Sequence, residues 1–263
     1  MSGARVWRRY SPAETTARWA GQLTLATITA VMLWHVGVRW DYLADAPGQV
    51  GDLLGRMLPP DWNFASRLVH PLIQTINIAT LGTAVALVLA VPLAFFAALN
   101  TSPARPLYAL ARVVIVVSRS VDTLIWALIF ILVVGPGSLA GALAVAVRSI
   151  GFLGKLFAEG IEEIDRGQVE AVTATGASRL QTLLYGIVPQ IKPIVLGVSI
   201  YRWDINIRES TVLGLVGAGG IGFALNEAIL GLEWARVGLI VLVILGVVLV
   251  SEAISALARA RIT

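Results

Sequence analysis

The chain has 263 residues, 57% of them hydrophobic and only 14% charged, and its mean hydropathy is +0.81. Soluble domains carry roughly 25% charged residues, so this composition excludes an ordinary soluble protein and points to an integral membrane one. The net charge of +4 gives no reason to expect nucleic acid, because the arginines gather at the ends of apolar runs, and the absence of cysteine excludes disulfides, thiolate metal sites and cysteine nucleophiles.

About 20 apolar residues cross the ~30 Å hydrocarbon core as a helix, and the sequence predicts six such spans in an all-α membrane fold. Long apolar runs exclude a transmembrane barrel, whose strands alternate over short segments. Residues 1–19 form a basic N-terminal segment with Arg5, Arg8, Arg9 and Arg18, and 20–263 form one transmembrane domain. The first span is Ala20 to Val38. Its basic flank and the downstream Ala44-Asp45-Ala46 mimic a cleaved signal peptide, but the apolar run is long and Arg39 to Tyr42 separate it from the small residues, which favours a retained helix. Arg39 to His70, with Pro59-Pro60, reads as a connection with little core of its own. The second span, Pro71 to Leu99, leads through the tight turn Asn100 to Pro106 into the third, Leu107 to Val134, which carries Arg112, Arg119 and Asp122. Gly135 to Ser138 turn into the fourth, Leu139 to Ala158, which carries Arg148; the fifth begins near Leu183 and the sixth is Trp234 to Leu257. Alternating spans bring the N-terminal arginines, Arg105, Lys155, Arg166, Arg179, Arg259 and Arg261 to one side, which places both termini in the cytoplasm and the chain in the inner membrane. His35 and His70 stand far apart without a third ligand, so no metal site and no catalytic residue is expected.

Between the fourth and fifth spans lies a polar interval, about 159–183, in which Ile161, Ile164, Val169 and Val172 keep helical spacing while Gly167 and Gly176 interrupt it. Two short helices meeting at an angle are predicted, either a docking surface for a soluble partner or an amphipathic hairpin joining two spans. No Gly-x4-Gly-Lys-Ser/Thr stretch is present, so any ATP is hydrolysed by another subunit.

The fifth span runs into YRWDINIREST, residues 201–211. At 1.5 Å per residue, Tyr201 stands about 18 Å and Arg208 about 28 Å from Pro189, within a ~30 Å core, so these charges lie in the membrane. A lone strand there would leave its backbone unpaired. As a helix the stretch puts Arg202, Asn206 and Glu209 on one side and Asp204, Arg208 and Thr211 on another, leaving no broad lipid face, so the helix is central. Asp204 and Arg208 at i and i+4 either neutralise each other or serve a pathway. Arg202, Lys192, Arg119 and Arg148 outnumber Asp122 and Glu209, and such an excess favours an anionic cargo, oxyanions above all, because an arginine fork donates two hydrogen bonds at once. In the following STVLGLVGAGGIG the glycines satisfy G-x-G-x-x-G without the βαβ context of a dinucleotide site, and are expected instead to break the helix inside the membrane as a gate.

Glu170-Ala171, Gly176 and Pro189 fall on the positions of the EAA motif of ABC-importer permeases, with Val172, Gly186 and Val188 departing from it. Tyr201 to Gly214 followed by Gly217-Ala218-Gly219-Gly220-Ile221-Gly222 resembles the signature of the phosphonate-type permease, although methionine-type importers have similar glycines. The resemblance implies a type I permease fold with cytoplasmic coupling helices and a homodimer. It also implies two ATP-binding subunits that hold ATP and Mg, and an extracytoplasmic protein that delivers phosphonate, phosphate or phosphite. Glu170, Ala171, Gly176 and Pro189 would then couple to the ATPase. Arg119, Tyr201, Arg202, Asn206, Arg208, Ser210 and Thr211 would shape the pathway, and Gly217, Gly219, Gly220 and Gly222 its gate. In the elbow, Gly176 would let the chain bend and a neighbouring backbone approach, while Glu170 would pair with the partner or cap the bend. The rivals are an ion-coupled secondary transporter, an ABC permease for another small solute such as an amino acid, and a membrane-embedded enzyme acting on lipid phosphates.

Overall fold

The computed structural model describes residues 10–261. Arg5, Arg8 and Arg9, expected at the inner face, lie outside the described residues. The described residues form helices and turns with no strand. Contacts divide the chain into two units at Leu53–Leu54.

In the first unit, α1 (Pro12–Val36) runs unbroken across residue 19. It starts at a capping box in which Ser11 and Glu14 exchange side-chain and backbone bonds, and stops at Gly37, whose φ of +67° only glycine adopts without strain. After a 76° bend follows α2 (Trp40–Met57). This helix replaces the irregular connection expected from Arg39 onward. Trp40, Leu43, Pro47, Val50, Leu54 and Met57 recur at alternating steps of three and four, an apolar stripe that only a helix gathers on one side.

The second unit is built around α3 (Ala65–Ala97) and α6 (Ser138–Glu162). The buried face of α3 is a ladder of small residues, including Ala79, Gly82, Ala86, Ala90 and Ala94, and α6 answers with Gly141, Ala144, Gly151 and Gly154. Small side chains let two membrane helices approach closely. At Gly82 even a methyl group would sit 2.6 Å from Val145.

The third expected span is two helices, α4 (Arg105–Ser120) and α5 (Thr123–Val134), bent by 95° at Val121–Asp122. Asp122 is the reason: its backbone is extended and its carboxylate accepts the Leu124 N–H at 3.0 Å, so the residue starts a new helix instead of continuing the old one. The remaining elements are α7 (Arg166–Ala174), α8 (Arg179–Thr182), α9 (Val188–Leu213), α10 (Ile221–Leu230) and α11 (Trp234–Arg259). A π turn at Leu183–Ile187 joins α8 to α9, so the fifth span starts at Arg179 rather than Leu183. Among the described residues four helices are long and apolar enough to cross a membrane, or up to six if each bent pair counts as one span.

Candidate functional site

The polar elbow is assembled by caps. Asp165 accepts the Gly167 N–H at 2.9 Å and opens α7, so Gly167 sits in a first turn instead of breaking a helix. The chain then turns at Gly176, with φ +82°, and Ser178 and Gln181 cap α8 reciprocally. A side chain at Gly176 would meet nothing within 4 Å, so this glycine is required for its backbone angle and not for the close approach expected of it. Glu170 does not cap the bend either. It lies exposed on α7, as does Ala171, and among the described residues it makes no hydrogen bond or ion pair. Grooves of about 320 Å³, reaching from Asn100 to Glu170, and about 440 Å³, around Gly176 and Tyr185, flank the elbow. Gln190, next to the exposed Pro189, bonds the backbone N–H and C=O of Asp165 at 2.9 and 3.3 Å and ties the elbow to the base of α9. The elbow is thereby joined directly to the helix that carries residues 201–211.

That stretch is helical and largely buried. Arg202, with its side chain 3% exposed, donates Nε–H to Ser149 Oγ at 2.9 Å and aims its fork at both Glu209 oxygens at 3.3 and 3.4 Å, with its guanidinium 5.1 Å from the centre of the Phe152 ring. Asn206 donates to Thr83 at 2.7 Å and to Ser149 at 3.0 Å. Glu209 also accepts the Thr123 hydroxyl at 2.6 Å and lies 3.8 Å from Arg148, which in turn holds Asp122 at 2.6 Å. On the other side Asp204 pairs with Arg208 and accepts the Ser251 hydroxyl at 2.7 Å.

The expected excess of buried positive charge is not present. Arg148 and Arg202 are matched by Asp122 and Glu209, while Arg119 and Lys192 lie on the surface. Buried guanidinium groups without partners are too costly to persist, so the fold brings each carboxylate to them from another helix or another turn.

Of the expected pathway residues, Arg202 and Asn206 share one network. Tyr201 and Arg208 fall on the exposed stripe of α9, and Arg119 sits at the exposed end of α4 without joining either group. Ser210 and Thr211 are buried and bond backward to the carbonyls of Asn206 and Arg208, so their hydroxyls serve their own helix. Asp122, Thr123, Arg148, Ser149 and Glu209 complete the cluster although sequence reading left them out of the site. The available signals were the helical spacing that puts Glu209 on the side of Arg202 and Asn206, and the polar pair Arg148-Ser149 inside an otherwise apolar run.

The glycines do break the helix. After a 3₁₀ turn at Gly214–Val216, positive φ values of +88°, +81° and +83° at Gly217, Gly219 and Gly220 reverse the chain into α10. Several of the freed backbone groups are taken by protein, which irregular backbone at membrane depth needs. Gly137 N–H donates to the Gly217 carbonyl at 3.0 Å, Gln74 accepts from Gly220 at 3.3 Å, and Thr75 accepts from Ile221 at 2.8 Å.

Residues 90–263 match the family model described as binding-protein-dependent transport system inner membrane component. The chain is 40% identical to the phosphite transport system permease protein PtxC of Stutzerimonas stutzeri, over 92% of this chain and 89% of that one. It is 44% identical to the phosphate-import permease protein PhnE of Mycolicibacterium smegmatis, over 84% of this chain but only 41% of that longer protein. Among solved structures, the MetNI methionine ABC transporter matches with a TM-score of 0.66 at 18% identity, covering 77% of this chain and 99% of that one, which is a likeness of fold alone.

Proposed function

The chain belongs to the family of binding-protein-dependent transport system inner membrane components, and on that premise we propose that it imports phosphonate or a related phosphorus oxyanion, phosphate or phosphite, by alternating access. As a multi-pass permease subunit of the inner membrane it is a transport protein and not an enzyme. Two copies pair with two ATP-binding subunits, which hold ATP and Mg, and both termini face the cytoplasm. The near full-length similarity to a permease named for phosphite carries the substrate class. The test is uptake by vesicles holding the chain, its ATPase and its binding protein. Phosphite, phosphate or methylphosphonate should enter with ATP and without a proton gradient, whereas methionine should not. Uptake that survives ATP depletion and collapses with the gradient would replace this reading with ion-coupled transport.

Coupling runs through the elbow: Glu170, Ala171 and the turn at Gly176 meet the ATPase, and Gln190 beside Pro189 hands the motion to α9. Because Glu170 is exposed and bonded to nothing in the chain, Glu170→Ala should change stability by no more than about 0.5 kcal/mol. Uptake should nevertheless fall at least about tenfold, since an unpaired cation on the partner corresponds to a loss of 1.4 kcal/mol or more. Melting of the purified importer and vesicle uptake, measured side by side, check this. A variant that melts early, or one that transports normally, removes Glu170 from the coupling surface.

A further inference from the structure

Glu209 occupies an unusual position for a carboxylate. Its two oxygens sit in the fork of Arg202, one also accepts the Thr123 hydroxyl, and Arg148 stands 3.8 Å away. Two guanidinium groups and a hydroxyl from three helices converge on one anionic group, which is the donor set that a tetrahedral oxyanion requires. Ser149 Oγ, already on Arg202 at 2.9 Å, adds a fourth polar atom. The cluster is also reachable. Arg202 is at its closed end with 3% exposure, Arg148 and Glu209 are 28% and 22% exposed, and Asp122 is 54% exposed at the break between α4 and α5.

We propose that Arg148 and Arg202, with Thr123 and Ser149, form a phosphorus-oxyanion site within the membrane in which Glu209 is a resident, displaceable counter-ion. The assignment rests on the transport reading above and adds to it the residues that touch the cargo. A transporter must bind its cargo well enough to admit it and weakly enough to release it. Two buried arginines alone would hold a dianion too tightly, and would not survive unpaired when the cargo had left. A carboxylate that competes for the same forks meets both needs: it balances the arginines and holds them in place, and it closes on them again as the anion departs. Asp122 does the same for the outer side of Arg148, more weakly because it is half in solvent.

The experiment uses the whole importer, this chain with its ATPase subunits in nanodiscs but without the binding protein, and reads phosphite binding from broadening of its ³¹P resonance. Glu209→Gln keeps the size and an acceptor for Thr123 but removes the competing charge, so it should bind phosphite at least tenfold more tightly than the parent while turnover in vesicles slows. Asp122→Asn retains an acceptor for the Leu124 N–H and should tighten binding about threefold, whereas Arg148→Gln should abolish it. If Glu209→Gln does not fold, the Asp122→Asn and Arg148→Gln pair still decides. Binding that is unchanged or weaker in Asp122→Asn and Glu209→Gln, with wild-type melting, would reduce the cluster to an ion pair that only holds helices together and overturn the proposal. Repeating the measurement with phosphatidylglycerol raised from none to half of the lipid separates the two sources of the anion. Insensitive binding supports a free oxyanion; binding that the lipid suppresses would assign the site to a headgroup phosphate and overturn it. Absence of phosphite uptake by the unmodified importer would sink the transport reading itself, whereas normal uptake with no tightening in Glu209→Gln sinks only this site.

Discussion

Arg202→Met is expected to cost about 3–5 kcal/mol of folding free energy, a large part of the ~5–15 kcal/mol that holds a typical domain together. The side chain is 3% exposed and spends its donors on Ser149 and on both oxygens of Glu209. Removing it leaves a mostly buried carboxylate with the Thr123 hydroxyl and an arginine 3.8 Å away, and a half-satisfied polar cluster is worse than an apolar one. The double variant Arg202→Met with Glu209→Met removes both charges and should recover at least half of the lost stability, because two apolar side chains of similar volume need no partners. Arg202→Lys should not recover it, since a single ammonium cannot reproduce a fork that serves a hydroxyl and a carboxylate at once. Melting temperature and the yield of folded importer on gel filtration measure all three. A single variant as stable as the parent would show that the cluster joining α9 to Thr123, Arg148 and Ser149 does not hold the helices together. The double variant should fold and yet transport poorly, which separates the structural role of the charges from their role toward cargo.

The membrane class and most of the spans were legible because their signals are local: twenty apolar residues in a row need no knowledge of their neighbours. The burial of Arg202, Asp204 and Asn206 was legible for a related reason, since charges on several sides of one helix must meet protein, although Tyr201 and Arg208 keep an exposed stripe. The positions of breaks were less so. Asp122 looked like one more charge in an apolar run, and only its extended backbone and its bond to Leu124 N–H show that it divides the span. In α2 the error had the opposite sign, as the stretch from Arg39 was read as a connection although a stripe from Trp40 to Met57 keeps helical spacing throughout. Charge balance was the part least available to sequence. Counting arginines against carboxylates along the chain gives an excess, but the partners of Arg202 and Arg148 arrive from α5, α9 and the α4–α5 break. The Arg202–Glu209 pair lies on one side of α9 and follows from helical spacing, but Arg148 meets Asp122 across 26 residues of chain by packing between helices, and no periodicity records that. The EAA positions show a further limit: Gly176 was foreseen at the bend, but only its φ and its empty surroundings show that backbone angle, not crowding, selects glycine there.

The glycines after α9 divide into two kinds, and substitution should tell them apart. A Cβ at Gly222 would stand 2.0 Å from the Thr211 carbonyl oxygen and 3.1 Å from the Gly214 Cα, and one at Gly214 would stand 2.3 Å from the Phe223 nitrogen. These are backbone atoms that no rotamer change can move, so Gly222→Ala must push α10 away from α9 and is expected to cost more than about 3 kcal/mol, at the upper end of overpacking penalties. Gly217 is different: its φ is +88°, but a methyl group there meets nothing within 4 Å. Gly217→Ala should cost only the strain of a left-handed residue, about 1–2 kcal/mol. If the reversal moves during transport, Gly217 is where it has room to do so, while Gly214 and Gly222 form the lock against which it moves. Gly217→Ala should therefore fold and melt a few degrees early while slowing vesicle uptake severalfold, and Gly222→Ala should yield little folded importer at all. A Gly222→Ala importer that melts with the parent would mean that α9 and α10 do not meet backbone to backbone. A Gly217→Ala importer with unaltered uptake would mean that the gate does not turn at this glycine.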